Sequence, residues 1–416
     1  MRRVPVLAAL LVACGLSAVA VQACPFCAAP SLTLSEQLKQ SRAAVIAEWT
    51  SAVRPDGQSV ASTTLTVRDV LSESSLVKAG ETVTLTEYRA GQTGDLFLLL
   101  ANDGQPAGES APTFLESAGY QPKDFAEDAV ALTELTTSPE TTRWSSPIEV
   151  TAATADYIAA LPGDEAEDRL AFFMDYLEHP DETISSDAYS EFAGAPYDVI
   201  RPLAPQMPVE KLREWVASSD TPPTRLGLYG LMLGLAGDET DKARMEKRIL
   251  EPTDEFRLGI DGVMGGYMLL AGEPGLSLIE KAKFEDPDVP FSETYAAMQA
   301  IRFLWSDAND SFGKDRLRQS MRTLLERPEL ADLVIADLAR WKDWSQVDRV
   351  YDLYDADGYD TGSIKRAIVR FMLAATKVED EPPTAEQEEK AAGYLARLRE
   401  EDPKTVKAAE RFFFLN

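Results

Sequence analysis

Thr82-Val83-Thr84-Leu85-Thr86 places an apolar side chain at every second position, with threonine between. That is the repeat of a strand with one face in a core and the other in water. Toward the N-terminus, Thr64-Leu65-Thr66-Val67-Arg68-Asp69-Val70-Leu71 alternates over its first part, and Ala43-Ala44-Val45-Ile46-Ala47-Glu48-Trp49 is a short apolar run. Toward the C-terminus, Leu96-Phe97-Leu98-Leu99-Leu100 is apolar throughout, which fits a central strand, and Asn102-Asp103-Gly104 turns the chain after it. Ahead of the first strand, Thr33-Leu34-Ser35-Glu36 has the spacing of a capping box and predicts a short helix through Gln40. Four or five such strands, rich in threonine and β-branched residues, predict a small OB-like β-barrel. Residues 105–147 are broken by Pro106, Gly108, Pro112, Gly119, Pro122, Pro139 and Pro147. Within them Val130 to Leu135 reads equally as a strand or a helix end, and the region is taken as the last strand plus a connection.

From about residue 151 the period changes. Leu170, Phe173, Met174 and Leu177 fall at helical spacing within Glu165 to Leu177. Leu212, Trp215 and Val216 repeat the pattern, as do Leu226, Tyr229 and Leu233, then Tyr295, Met298, Ile301 and Phe303. Leu333, Leu338 and Trp341 continue it, followed by Ile364, Ile368, Phe371 and Met372, then Tyr394, Leu395 and Leu398, and finally Phe412 to Leu415. Helix pairs recur at roughly 35–45 residues, a spacing that fits an α-solenoid of the HEAT kind, with an irregular helical bundle as the alternative. The expected fold is therefore multidomain α+β: a segment 1–23 outside the fold, an OB-like β domain with its connection at 24–147, and an all-α helical-repeat domain at 148–416.

The length of 416 residues suits two or three domains. A formal net charge of −28 opposes nucleic acid and anionic membrane surfaces. Residues 24–150 hold 8 basic and 17 acidic residues, and residues 151–416 hold 31 and 52, so neither part hides a basic arm. No linear cluster of Lys and Arg stands out. With His179 as the single histidine, HExxH zinc proteases, three-His zinc sites and two-His iron triads are excluded.

Residues 1–23 read as a bacterial secretory signal. Arg2 and Arg3 give the charged start, Val4 to Val21 the apolar run, and Val21-Gln22-Ala23 the small-residue cleavage pattern, with the cut before Cys24. The competing reading is Leu11-Val12-Ala13-Cys14, which resembles a lipobox and would make Cys14 an acylated N-terminus. The oily stretch from Gly15 to Val21 argues for the soluble product, because a lipoprotein tether is polar. No later stretch approaches 18 consecutive apolar residues, so no transmembrane segment is expected in the mature chain, and the location is extracytoplasmic.

Cys24-Pro25-Phe26-Cys27 is the sharpest motif. In an oxidising compartment Cys24 and Cys27 are expected to form a local disulfide, which shapes the first residues and cannot clamp distant strands. The motif also resembles the active site of periplasmic disulfide oxidoreductases, in which a CxxC at a helix N-terminus lowers a thiol pKa. Asp355-Ala356-Asp357-Gly358-Tyr359-Asp360-Thr361-Gly362 invites a calcium reading. In that register Tyr359, Asp360 and Arg366 stand where the EF-hand loop needs a ligand, a glycine and a glutamate, so it reads as an interhelical turn with Ser363 capping the next helix. Asp307-Ala308-Asn309-Asp310 reads the same way. The glycines from Gly259 to Gly275 lack the Gly-Lys-Ser/Thr of a phosphate loop and predict close helix packing. His179 precedes Pro180 at a helix end and has no Gly-x-Ser-x-Gly elbow to join in a triad. The acidic pairs Asp164-Glu165, Asp286-Asp288, Glu388-Glu389 and Glu400-Glu401-Asp402 read as solvated helix faces. No metal site and no cofactor is expected.

On Cys24 and Cys27, the helix near Ser35–Gln40 and the strands from Ala43 to Ala101, the N-terminal quarter resembles the netrin-type module shared with tissue inhibitors of metalloproteinases. The resemblance implies an OB-type barrel and maps that family's metal-chelating N-terminal cysteine onto Cys24. The distant cysteines to which the family's N-terminal pair bridges are missing here. The whole layout is similar to secreted proteins of planctomycete-type bacteria. Together these features lead us to expect a secreted, non-catalytic interaction or scaffold protein with protein or peptide partners, its helical-repeat surface providing the contact. The alternative is a periplasmic thiol-disulfide protein acting through Cys24 and Cys27.

Overall fold

The computed structural model describes residues 24, 26–27, 32–55, 59–72, 76–102, 143–163, 169–253, 255–378 and 380–411. The signal segment with Cys14, the stretch Val130 to Leu135 and the end from Phe412 to Leu415 lie outside the described residues. The protein has mixed α+β architecture: an antiparallel, barrel-like sheet followed by a helical region. Packing groups the chain into two compact units, one from Ala28 to Ala193 and the other comprising Gly194–Asn416 together with the segment that holds Cys24 and Cys27. Composition changes near residue 151, whereas packing changes after residue 193, because the first helices after the last strand pack with the sheet unit.

In the sheet unit, helix α1 (Leu34–Gln40) starts where the capping box predicts. Thr33 Oγ1 accepts from the Glu36 amide, and Glu36 accepts from the Thr33 amide. Strands β1 (Ala43–Val53), β2 (Ser62–Val70), β3 (Thr82–Leu85), β4 (Leu96–Asn102), β5 (Arg143–Trp144) and β6 (Ile148–Val150) form one antiparallel sheet in the order β3-β2-β1-β4-β5, with β6 also paired to β4. Two register irregularities bend β1 against β2, between Ile46 and Ala47 and between Trp49 and Ser51. β5 and β6 share one edge of β4. Ala101 pairs with Trp144 and Leu98 with Ile148, so the pairing slips by one residue across Ser145–Pro147. Pro147 has no amide to donate, which explains a break there. Across the remaining gap Ser146 Oγ donates to Glu87 Oε2 at 3.1 Å, just beyond β3. This contact brings the two edges together and nearly closes the sheet.

Alternation fills the interior. Ala43, Val45 and Ala47 on β1, Leu65 and Val67 on β2, Val83 and Leu85 on β3, and Phe97, Leu99 and Ala101 on β4 form one core, with Trp49, Val70 and Trp144 at its margin. Each fully buried aliphatic side chain contributes about 1.5–3 kcal/mol. The opposite faces of β1 and β4 are buried too, at Ala44, Ile46, Leu98 and Leu100, as a continuous apolar strand requires. Helices α2 (Ala152–Ala159), α3 (Arg169–Met174) and α4 (Glu182–Gly194) complete this unit. Buried Asp187 on α4 accepts from the Leu34 amide at 2.6 Å and from Tyr157 Oη at 2.8 Å, which ties α1 and α2 to α4.

In the second unit the helices are α5 (Tyr197–Ile200), α6 (Val209–Ala217), α7 (Pro223–Ala236), α8 (Glu239–Leu250), α9 (Ile260–Ala271), α10 (Glu273–Ile279), α11 (Phe291–Ser306), α12 (Lys314–Thr323), α13 (Ala331–Arg340), α14 (Val347–Asp352), α15 (Gly362–Ala375), α16 (Ala385–Glu401) and α17 (Pro403–Arg411). Their starts are written in the sequence. Pro223 occupies the first turn of α7, while Asp238 and Thr384 make capping boxes with Asp241 and Gln387. The turn before α15 is capped by Thr361, whose Oγ1 accepts from the Ile364 amide at 3.4 Å. The expected cap was Ser363, but that residue already lies inside the first turn. Alternate helices lie side by side: α7 on α9, α9 on α11, α13 on α15 and α15 on α17. Buried or half-buried ion pairs tie successive layers, Arg213 to Asp241, Arg257 to Glu293 and Arg302 to Asp337.

Candidate functional site

The closest helix contact in the second unit is built from glycine. A Cβ on Gly230 of α7 would stand 2.6 Å from Val263 Cα, and one on Gly262 of α9 would stand 2.6 Å from the Gly227 carbonyl carbon. No side chain fits there, so α7 and α9 meet backbone to backbone, as the glycine-rich stretch predicts. This close approach leaves a hollow at one end, and Phe26 occupies it.

Phe26 is 5% exposed. Its ring centroid lies 4.7 Å from that of Phe303 on α11, tilted by 60°, and Phe303 in turn meets Tyr197 edge-on at 5.1 Å. The seat requires two glycines. A Cβ on Gly265 would reach within 2.6 Å of Phe26 Cζ, and one on Gly227 within 2.6 Å of the Phe26 carbonyl oxygen. Around the anchored ring, Cys24 and Cys27 form a turn in which the Cys27 amide donates to the Cys24 carbonyl at 3.2 Å. Their Cα atoms are 5.5 Å apart and their sulfurs are at disulfide distance. Cys24 is buried at 4% exposure, whereas Cys27 is partly exposed. Disulfide exchange needs an attacking thiolate to reach a sulfur, and here only the Cys27 side of the pair is open to one.

The remaining sequence candidates separate. His179 Nδ1 accepts from the Asp181 amide at 3.1 Å. Asp181 in turn accepts from the Thr151 and Thr154 hydroxyls at 2.6 and 2.7 Å. Burial works against the charge of Asp181, but these hydroxyls and the amides of Thr183 and Ile184 hold its carboxyl below the usual range. The loop Asp355–Gly362 is anchored by buried Tyr359, whose hydroxyl donates to the Leu325 carbonyl at 2.7 Å, and Asp355 faces Lys365 at 3.8 Å. Among the described residues no group of three or more His, Cys, Asp or Glu side chains converges as a metal site would require. Asp310 pairs with Arg201 at 2.6 Å, and Asp286 accepts from the Asp288 amide at 3.0 Å.

A basic cluster in the second unit is announced by no run of Lys and Arg in the sequence. Arg244, Lys247 and Arg248 project from α8 into a cavity that Arg213 of α6 also lines. The sequence shows no linear basic run because the cluster draws on two helices. The signal that could have found it is the i, i+3, i+4 spacing of the three α8 cations, which puts them on one helix face. Comparison with protein-family models, curated proteins and solved structures gives no match for this chain.

Proposed function

We propose that the protein is an extracytoplasmic, non-catalytic interaction protein: a small OB-like barrel followed by a HEAT-like helical array whose surface receives a protein or peptide. The observation that carries this reading is the burial of Cys24 and Phe26 in the helical unit. A redox motif must present its nucleophilic sulfur, whereas a staple must hide its anchor, and buried Phe26 between the two cysteines behaves as the second. The barrel reading is supported by the five-strand order, in which β1 pairs with both β2 and β4, and by the Glu87–Ser146 contact across the open edge. The array reading is supported by alternate-helix packing. It is also supported by interhelix ion pairs that recur in chain order from Arg213–Asp241 to Arg257–Glu293 to Arg302–Asp337. The expected location rests on the signal-like segment 1–23, with cleavage before Cys24 favoured over acylation at Cys14.

Mass spectrometry of the exported protein, with an insulin-reduction assay on the same sample, tests the reading. We expect an N-terminus at Cys24, no lipid, oxidised Cys24 and Cys27, and no thiol turnover. Turnover of insulin that is lost in Cys27→Ser would replace the scaffold reading with the thiol-disulfide one.

A further inference from the structure

The cavity between α6, α7 and α8 measures 260 Å³. Val216, Ala217, Leu233 and Met245 give it an apolar floor, and Arg213, Arg244, Lys247 and Arg248 surround that floor. In a chain with 28 surplus negative charges, nearby carboxylates should neutralise such a group. For Arg213 they do: it bonds Asp241 through two nitrogens at 2.7 and 2.8 Å, reaches Asp238 at 3.1 Å and also pairs with Glu210. Among the described residues Arg244 pairs only with Asp241, at 3.8 Å, a carboxylate already engaged by Arg213.

Arg248 differs. Its Nε is buried without a hydrogen-bond partner, and among the described residues no carboxylate lies within ion-pair distance. Burial and the like charge of Arg257 beside it outweigh the attraction of Glu251 and lower its pKa from the usual guanidinium value. Arg248 also lines a second cavity of 420 Å³, whose wall carries Phe256 and Leu258, respectively 72% and 45% exposed. An unpaired, half-buried guanidinium between two apolar hollows is costly as it stands. It becomes favourable when an anion arrives from outside the chain.

We propose that the α6–α8 cavity binds a small monoanion on an apolar body, a carboxylate with an aliphatic or aromatic tail, with Arg248 as its counter-ion. The planar fork of the guanidinium donates two parallel hydrogen bonds to a carboxylate, and the floor of Val216, Leu233 and Met245 takes the tail. Glu251 on the same wall disfavours a dianion such as phosphate. A short fatty acid and the C-terminus of a peptide ending in an apolar residue share this chemistry. The site stands independently of the scaffold reading, because it needs only the helical unit to be folded.

Titration calorimetry and thermal melts of the full secreted chain test the proposal, with octanoate, N-acetyl-phenylalanine, N-acetyl-phenylalanine amide and inorganic phosphate as probes. We expect at least one carboxylate to bind and to raise the melting temperature by about 5 °C at saturation. The tighter of octanoate and N-acetyl-phenylalanine identifies the source. The amide and phosphate should bind at least about tenfold more weakly. Arg248→Met should lose about tenfold or more in affinity while melting at the same or a higher temperature without ligand. Arg248→Gln serves as the second variant where methionine disturbs folding. The proposal is overturned if neither carboxylate binds, if the amide or phosphate binds as well as the acid, or if Arg248→Gln binds unchanged. A lower ligand-free melting temperature in both variants also overturns it, since the guanidinium would then already be neutralised within the fold.

Discussion

Phe26 and Phe303 lie ring to ring at 4.7 Å, so a residue three positions from the expected cleavage site packs against a helix from the far half of the chain. The N-terminal motif is thus held by its aromatic residue more than by its sulfurs. Phe26→Ala is expected to destabilise the helical unit by about 3 kcal/mol, since the seat between Gly227 and Gly265 cannot collapse around the smaller side chain. Replacing both Cys24 and Cys27 with serine should cost no more than about 2 kcal/mol, because the loop they close is so short. Denaturant unfolding of the two variants checks the order, and a larger cysteine effect would contradict it.

Two glycine-to-alanine changes should have opposite signs. At Gly262 the new methyl group collides with the Gly227 backbone, and we expect a loss of about 3 kcal/mol or more. At Gly393, within α16, nothing lies within 4 Å of the added carbon, so a gain of about 0.5–1 kcal/mol is expected from restriction of the unfolded chain. Thermal melts of the pair decide the matter.

Acid should weaken the helical unit through Glu293. Burial alone would raise its carboxyl pKa, but Arg257 and Lys283 outweigh that and hold it below the ordinary value. The unfolded chain then binds a proton more readily than the folded one. The stabilisation is complete above the ordinary glutamate pKa and is lost as pH falls through the depressed one. Glu293→Gln should flatten that part of the stability–pH curve. It should also cost about 3–5 kcal/mol at neutral pH, because Lys283, 6% exposed, loses its carboxylate.

In the sheet unit, Thr63 is fully buried. Its Oγ1 donates to the Glu87 carbonyl and accepts from the Arg89 amide, each at 2.7 Å. Thr63→Val strands both backbone groups and should cost about 2–3 kcal/mol, with faster hydrogen exchange at the Arg89 amide. Thr63→Ser keeps the hydroxyl and should cost about 1 kcal/mol. Equal exchange rates in the two variants would count against this bridge.

Local patterns were readable wherever one residue's neighbours in sequence are also its neighbours in space. The alternation of Thr82–Thr86, the uninterrupted Leu96–Leu100 and the Thr33–Glu36 cap all act within one element, and the structure has them as expected. The seat of Phe26 was not readable, because it is assembled from Gly227, Gly265 and Phe303, which no short-range period connects. Arg248 escaped for a related reason: its isolation depends on which carboxylates the neighbouring helices bring near, and that is not a property of any short stretch of sequence. The packing border after Ala193 escaped as well, because the long-range contacts that join the first helices to the sheet unit, such as Asp187 to the Leu34 amide, have no signature in composition.

The contact of α7 with α9 has a consequence for how the unit can change shape. A helix pair separated by side chains can slide, because rotamers swap as the helices shift. Here Gly230 rests directly on Val263 and Gly262 on Gly227, so a shift by one residue would set a leucine or methionine against bare backbone. The pair therefore has one permitted register and acts as a fixed pivot. Bending of the helical unit must come from the layers that touch through longer side chains, such as α13 on α15, while α7, α9 and the Phe26 seat move as a single block.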